Sequence, residues 1–180
     1  MRLSRMSCVT VALVLLASVS RVSAQELAAP YPEGGSLLGG TAKAVATDPT
    51  TYAPAALLYG SMMLDWKSSQ PFFQHGFVEN NPRYTVNGLA HDVPMSFEAG
   101  KRRILKDALT VVPAMLVNNA ASHLIERALI RRHPEHRTAF RVLGVTQRLA
   151  LSALVSYRLS ASHFQQWQMN QRLANELGYR

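Results

Sequence analysis

The chain has 180 residues, 19 Lys and Arg against 11 Asp and Glu, a formal charge of +8 and one cysteine. A lone thiol excludes disulfides and zinc–thiolate sites, and the length is that of a single domain. The basic residues fall in two clusters, Lys101-Arg102-Arg103 with Lys106, and Arg127, Arg131, Arg132, Arg137 and Arg141. No nucleic-acid-binding motif accompanies them, so these read as headgroup contacts or solvated helix ends and no nucleic-acid partner is expected.

Residues 1–24 have the pattern of a secretory signal. Arg2 and Arg5 form a basic start, Val9 to Val19 an apolar core, and Val22-Ser23-Ala24 a small-residue cleavage site. Cys8 lies inside this segment, so the mature chain is expected to lack cysteine and to carry 16 basic residues, a net charge of +5. Export without cysteines suits a bacterial envelope protein stabilised by helix packing alone. Residues 25–50, rich in Pro, Gly, Ala and Thr, read as a flexible leader.

Residues 51–180 are expected to form an all-α domain, a small bundle of three main helices. The first begins after the cap-like Asp48-Pro49 and runs from Thr51 to Gln70, where Pro71 ends or kinks it. Residues 71–97 form a long connection whose aromatics, Phe72, Phe73 and Phe77, favour a packed conformation. The second helix is capped by Ser96 and extends to about Arg132. Within it Ala108 to Ile125 is an uncharged run of 18 residues, at the lower limit for a membrane span. The third starts near Pro134 and continues toward Gly178. Its arginines 137, 141 and 148 fall within about 40° of one another at 100° per residue. They form either a solvated stripe or, for Arg148, an internal partner for Asp65 or Glu79.

The stretch Leu64 to Pro82 concentrates the polar groups. Asp65 ends an apolar helix, Ser68-Ser69 follow a turn later, and Gly76-Phe77-Val78-Glu79-Asn80-Asn81-Pro82 comes next. This order resembles a group of small uncharacterised bacterial membrane proteins with an Asp-ended first helix, a G-x-x-E-x-N-P element and two further apolar helices joined by a basic turn, here Arg131-Arg132-His133-Pro134. The resemblance covers roughly residues 55–160 and implies a compact helical membrane protein, with no activity attached.

The candidate polar cluster is therefore Asp65, Glu79, Asn81, His123, Glu126 and Arg148, acting to lock helices together. His123 and Glu126, at i and i+3, share a helix face. With Asp65 and Glu79 they form the candidate metal set, although a helix bundle of that kind ordinarily repeats Glu-x-x-His on two helices. No nucleophile–base triad, phosphate-cradling loop or dinucleotide fingerprint is present. No cofactor is implied. The leading expectation is a structural or interaction protein in or at the inner membrane, with lipid headgroups or another envelope protein as partner. The alternatives are an exported carboxylate–histidine metal-binding or enzymatic bundle and a soluble periplasmic protein.

Overall fold

The computed structural model describes residues 37–179, so the expected signal and the leader up to residue 36 lie outside the described residues. The fold is all-α, and among the described residues no strand forms. In chain order the helices are α1 (Leu37–Thr47), α2 (Ala53–Gln74), α3 (Phe97–Leu109), α4 (Val112–Arg132) and α5 (Arg137–Leu177). Short 3₁₀ turns at Pro49–Thr51, Pro82–Tyr84 and Pro134–His136 link them.

Three expectations need correction. The last part of the expected leader is helical: α1 buries Thr41 and Val45, and Asp48 caps the turn that follows by accepting the Thr50 N–H. The expected second helix is two, parted at Thr110-Val111, because Pro113 has no N–H to continue the ladder. And α2 runs through Pro71 to Gln74. Around the proline, side chains supply bonds to the carbonyls of the preceding turn: Ser68 and Ser69 donate to Asp65 O at 2.8 and 3.0 Å, and Gln70 donates to Trp66 O at 2.9 Å. The stop comes at Gly76, whose φ of 84° is left-handed. There Phe77 N bonds Phe72 O and Gly76 N bonds Phe73 O, each at 3.1 Å, closing a Schellman motif. Gly178, with φ 73°, ends α5 in the same way.

The described chain divides into two compact units. The first contains residues 37–52 and 115–152; the second contains 53–114 and 153–179. In the second unit α2 presents Leu58, Met62 and Trp66 at four-residue spacing, and α3 presents Ile104 and Ala108; with Tyr84 they form an apolar core. Ser96 caps α3 as its sequence implies, accepting from Ala99 N at 3.4 Å. Gly100 lets α3 approach the indole: a Cβ there would lie 2.3 Å from a Trp66 ring atom. Trp66 Nε1 donates to Phe97 O at 3.2 Å. The long connection is packed, as its aromatics suggest, and Glu79 and Asp92 exchange backbone hydrogen bonds at 2.9 and 3.2 Å across it.

The first unit buries different chemistry. From α4 it takes inward Met115, Asn119, His123, Glu126 and Arg127, four of the five polar. The residues α4 turns outward between 113 and 128 are Pro113, Ala114, Val117, Ala121, Ile125 and Ala128, every one apolar. The start of α5 is mixed, burying Arg141, Arg148 and Ser152 beside Val145 and exposing Val142 and Leu143 beside Thr146 and Gln147.

Candidate functional site

At the centre of the first unit lies Arg148, 1 % exposed. Its Nε donates to Asp48 Oδ2 and its Nη1 to Glu126 Oε2, both at 2.9 Å, and Nη1 also reaches Ser122 Oγ at 3.3 Å. Fully buried charge is tolerated only when paired and hydrogen-bonded, which this geometry achieves. His123 Nε2 sits 3.2 Å from the same Asp48 oxygen. Gly144 makes room for the arrangement, since a Cβ there would lie 2.4 Å from Glu126 Oε2.

The other Asp48 oxygen accepts from Thr50 N at 2.9 Å and Thr50 Oγ1 at 2.6 Å. Asn119, with no exposed surface, donates to Thr50 Oγ1 at 2.9 Å and Thr51 Oγ1 at 2.8 Å. Thr51 in turn donates to Val45 O at 3.0 Å. Burial pushes the Asp48 carboxyl up, but the hydrogen bonds from His123 and Thr50 and the Arg148 charge outweigh it and hold the group below the ordinary aspartate value.

The second unit holds the other half of the predicted cluster. Asp65 Oδ2 lies 2.9 Å from His163 Nδ1, and Asn170 Nδ2 reaches Asp65 Oδ1 at 3.5 Å. Asn170 also donates to Ser68 and Ser69, each at 3.0 Å. Glu79 Oε1 accepts from Asn81 N at 2.8 Å, and Asn81 Oδ1 from Arg83 N at 3.1 Å, so this pair organises the turn before Tyr84. Asp65, Glu79, Asn81 and His163 border a cavity of about 610 Å³ whose walls include Trp66, Phe72 and Phe73. Beside it Tyr84 donates to Asp107 Oδ2 at 3.1 Å, and burial first, then the Asp107 carboxylate, push its phenol upward.

The six predicted residues thus belong to two groups. His123, Glu126 and Arg148 come together in the first unit; Asp65, Glu79 and Asn81 border one cavity in the second. Arg148 pairs with Asp48 and Glu126 rather than with Asp65 or Glu79, because α1 and the Pro49 turn bring Asp48 into the buried interior. The solvated-stripe reading fails for Arg141 and Arg148, which are both buried. The candidate metal set is not realised as a cluster: Glu126 binds Arg148, Asp65 binds His163, and among the described residues no group of three or more His, Asp or Glu is placed to hold a metal ion.

Asp48 and His163 are the participants that the sequence reading missed. Asp48 was legible as a helix cap, and nothing in its spacing marks it as a partner for residues 75 and 100 positions onward. His163 falls seven residues before Asn170, so both lie on one face of α5; that spacing was the available signal.

The fold is thus that of a helical protein with one polar and one apolar core. By length and composition the stretch Phe97–Arg132 is able to cross a membrane. No protein-family model matches the chain, and no curated protein or solved structure matches it either.

Proposed function

We propose that this chain is a bacterial envelope protein whose first unit is embedded in the inner membrane, serving a structural or interaction role rather than turnover. The observation that carries this reading is the inverted burial of α4. Val117 and Ile125 are 71 % and 60 % exposed, whereas Asn119 and His123 are 0 % and 2 % exposed. In water that arrangement wastes apolar surface; in hydrocarbon it is favourable, because ionisable groups of a spanning helix face the protein interior.

The dimensions agree. At 1.5 Å per residue the 21 residues of α4 extend about 31 Å, close to the ~30 Å of a bilayer core. Arg131 and Arg132 at its end can reach the headgroups, where basic side chains are favoured. Only 22 % of the most apolar window of Phe97–Arg132 is buried, which distinguishes it from the core helix of a water-soluble protein. The Asp48–Arg148–Glu126 set then acts as an internal lock between α4 and α5.

Sodium carbonate extraction of membranes from cells expressing the full chain tests this. The protein is expected to remain in the pellet and to be released by detergent. Quantitative release into the carbonate supernatant would refute an embedded unit and favour the soluble periplasmic alternative.

A further inference from the structure

We propose that the cavity of the second unit is a binding site for a small organic amine in its protonated form. Nothing in this depends on the membrane reading, because every residue that borders the cavity belongs to the second unit. A volume of about 610 Å³ falls in the range that holds small ligands.

Charge selects the class of ligand. Asp65 and Glu79 contribute carboxylates to the walls, and no lysine or arginine borders the cavity. An anion would meet like charge there, whereas a cation gains the attraction of both carboxylates.

Hydrogen-bonding capacity narrows it further. Asp65 Oδ2 is taken by His163 Nδ1, but Oδ1 has only the long 3.5 Å contact from Asn170. Glu79 uses Oε1 for Asn81 N and keeps Oε2. The Ser69 hydroxyl donates to Asp65 O at 3.0 Å, and the amides of Asn80, Asn81 and Gln166 complete the polar part of the wall. On the two carboxylates the remaining valences are acceptors. Their complement is a charged donor with several N–H bonds, as an alkylammonium has.

The aromatic walls suit the rest of such a molecule. Trp66 is fixed by its bond to Phe97 O, and Tyr84 by its hydroxyl bond to Asp107, and both border the cavity. Trp66 and Tyr84 lie 5.6 Å apart between centroids, and Trp66 and Phe73 5.4 Å. Ring faces attract a cation and cover an apolar body equally well.

The experiment is isothermal titration calorimetry of the purified full chain in detergent at neutral pH, with three probes of one shape: 2-phenylethylamine, 2-phenylethanol and phenylacetate. The amine is expected to bind at least about tenfold more tightly than the alcohol, with no saturable heat from phenylacetate. Asp65→Asn is expected to weaken the amine at least about tenfold and to leave the alcohol unchanged; Glu79→Gln is expected to weaken it about two- to fivefold. Equal affinity for amine and alcohol, failure of all three to bind, or amine affinity unaltered in both variants would overturn the proposal. Should Asp65→Asn lose its helical circular dichroism, the wild-type probe series and Glu79→Gln still decide.

Discussion

Helices α3 and α4 are separated by two residues and bury opposite chemistry. In α3, Gly100, Ile104 and Ala108 go inside while Glu98, Lys101, Arg102 and Lys106 stay out, on an outer face that also carries Phe97, Leu105 and Leu109. In α4 the inside is Met115, Asn119, His123, Glu126 and Arg127, and the outside from 113 to 128 is proline, alanine, valine and isoleucine, with Arg131 and Arg132 exposed at its end. Each unit follows the helix it contains: Trp66 and Ile104 centre one core, Arg148 and Asn119 the other. The contrast teaches that periodicity reports two faces without saying which one meets solvent. Surroundings decide that, and the membrane proposal supplies different surroundings for the two units.

The largest expected effect comes from removing the cation at the centre of the polar core. Arg148→Met leaves Asp48 and Glu126 buried without their partner, a class of change that costs about 3–5 kcal/mol. Equilibrium unfolding in detergent measures it. A loss below about 1 kcal/mol, the range of surface pairs, would mean that the first unit is open to water and that the two cores differ less than their composition suggests.

A pair of substitutions on the outside faces sharpens the contrast. Ile125→Asp places a charge on the outward face of α4, where insertion into hydrocarbon is disfavoured by about 2.5–3.5 kcal/mol. Leu105→Asp, on the outward face of α3, is expected to stay within about 0.5 kcal/mol. The readout is the fraction of chain retained in carbonate-washed membranes. Equal retention for the two variants would remove the distinction between the faces.

Much of the helical layout was legible in the sequence, and so was the part of the site that depends on local spacing. Ser96 as a cap, Pro134 as the approach to α5, and the shared face of His123 and Glu126 all follow from contacts within a few residues. Pro71 misled because it removes a single backbone donor, the one to Lys67 O, and the helix continues past it; Ser68, Ser69 and Gln70 add side-chain bonds to Asp65 O and Trp66 O just before, and the more informative residue was Gly76. The partners of Arg148 were not legible for a different reason. Asp65, Glu79, Asp48 and Glu126 are equally plausible counter-ions until the fold chooses, and separation along the chain carries no information about that choice.

Glycines probe the apolar core in turn. Gly100→Ala drives a methyl to within 2.3 Å of the Trp66 ring, and overpacking of this kind costs about 1–3 kcal/mol. Gly60, on α2, has open space around its Cβ position, so Gly60→Ala is expected to stabilise by about 0.5–1 kcal/mol through helix propensity. Thermal unfolding followed by tryptophan fluorescence reads both. Matching shifts would show that the indole does not seat against α3 in solution.

The smallest expected effect is a pH dependence confined to the polar core. Asp48 titrates below its ordinary value in the folded chain, where hydrogen bonds from His123 and Thr50 and the Arg148 charge exceed the opposing effect of burial. A carboxyl depressed on folding stabilises fully above its unfolded value, and that contribution is lost as pH falls through the folded one. Stability of the wild type should therefore decline on acidification below the ordinary aspartate range. In Asp48→Asn, which retains an acceptor for Thr50 but no charge, that portion of the decline should be missing. Denaturant unfolding at a series of pH values from about 6 to about 2.5 checks the sign. Parallel curves for the two proteins would mean that the proton is bound elsewhere, and that Arg148 draws its compensation from Glu126 alone.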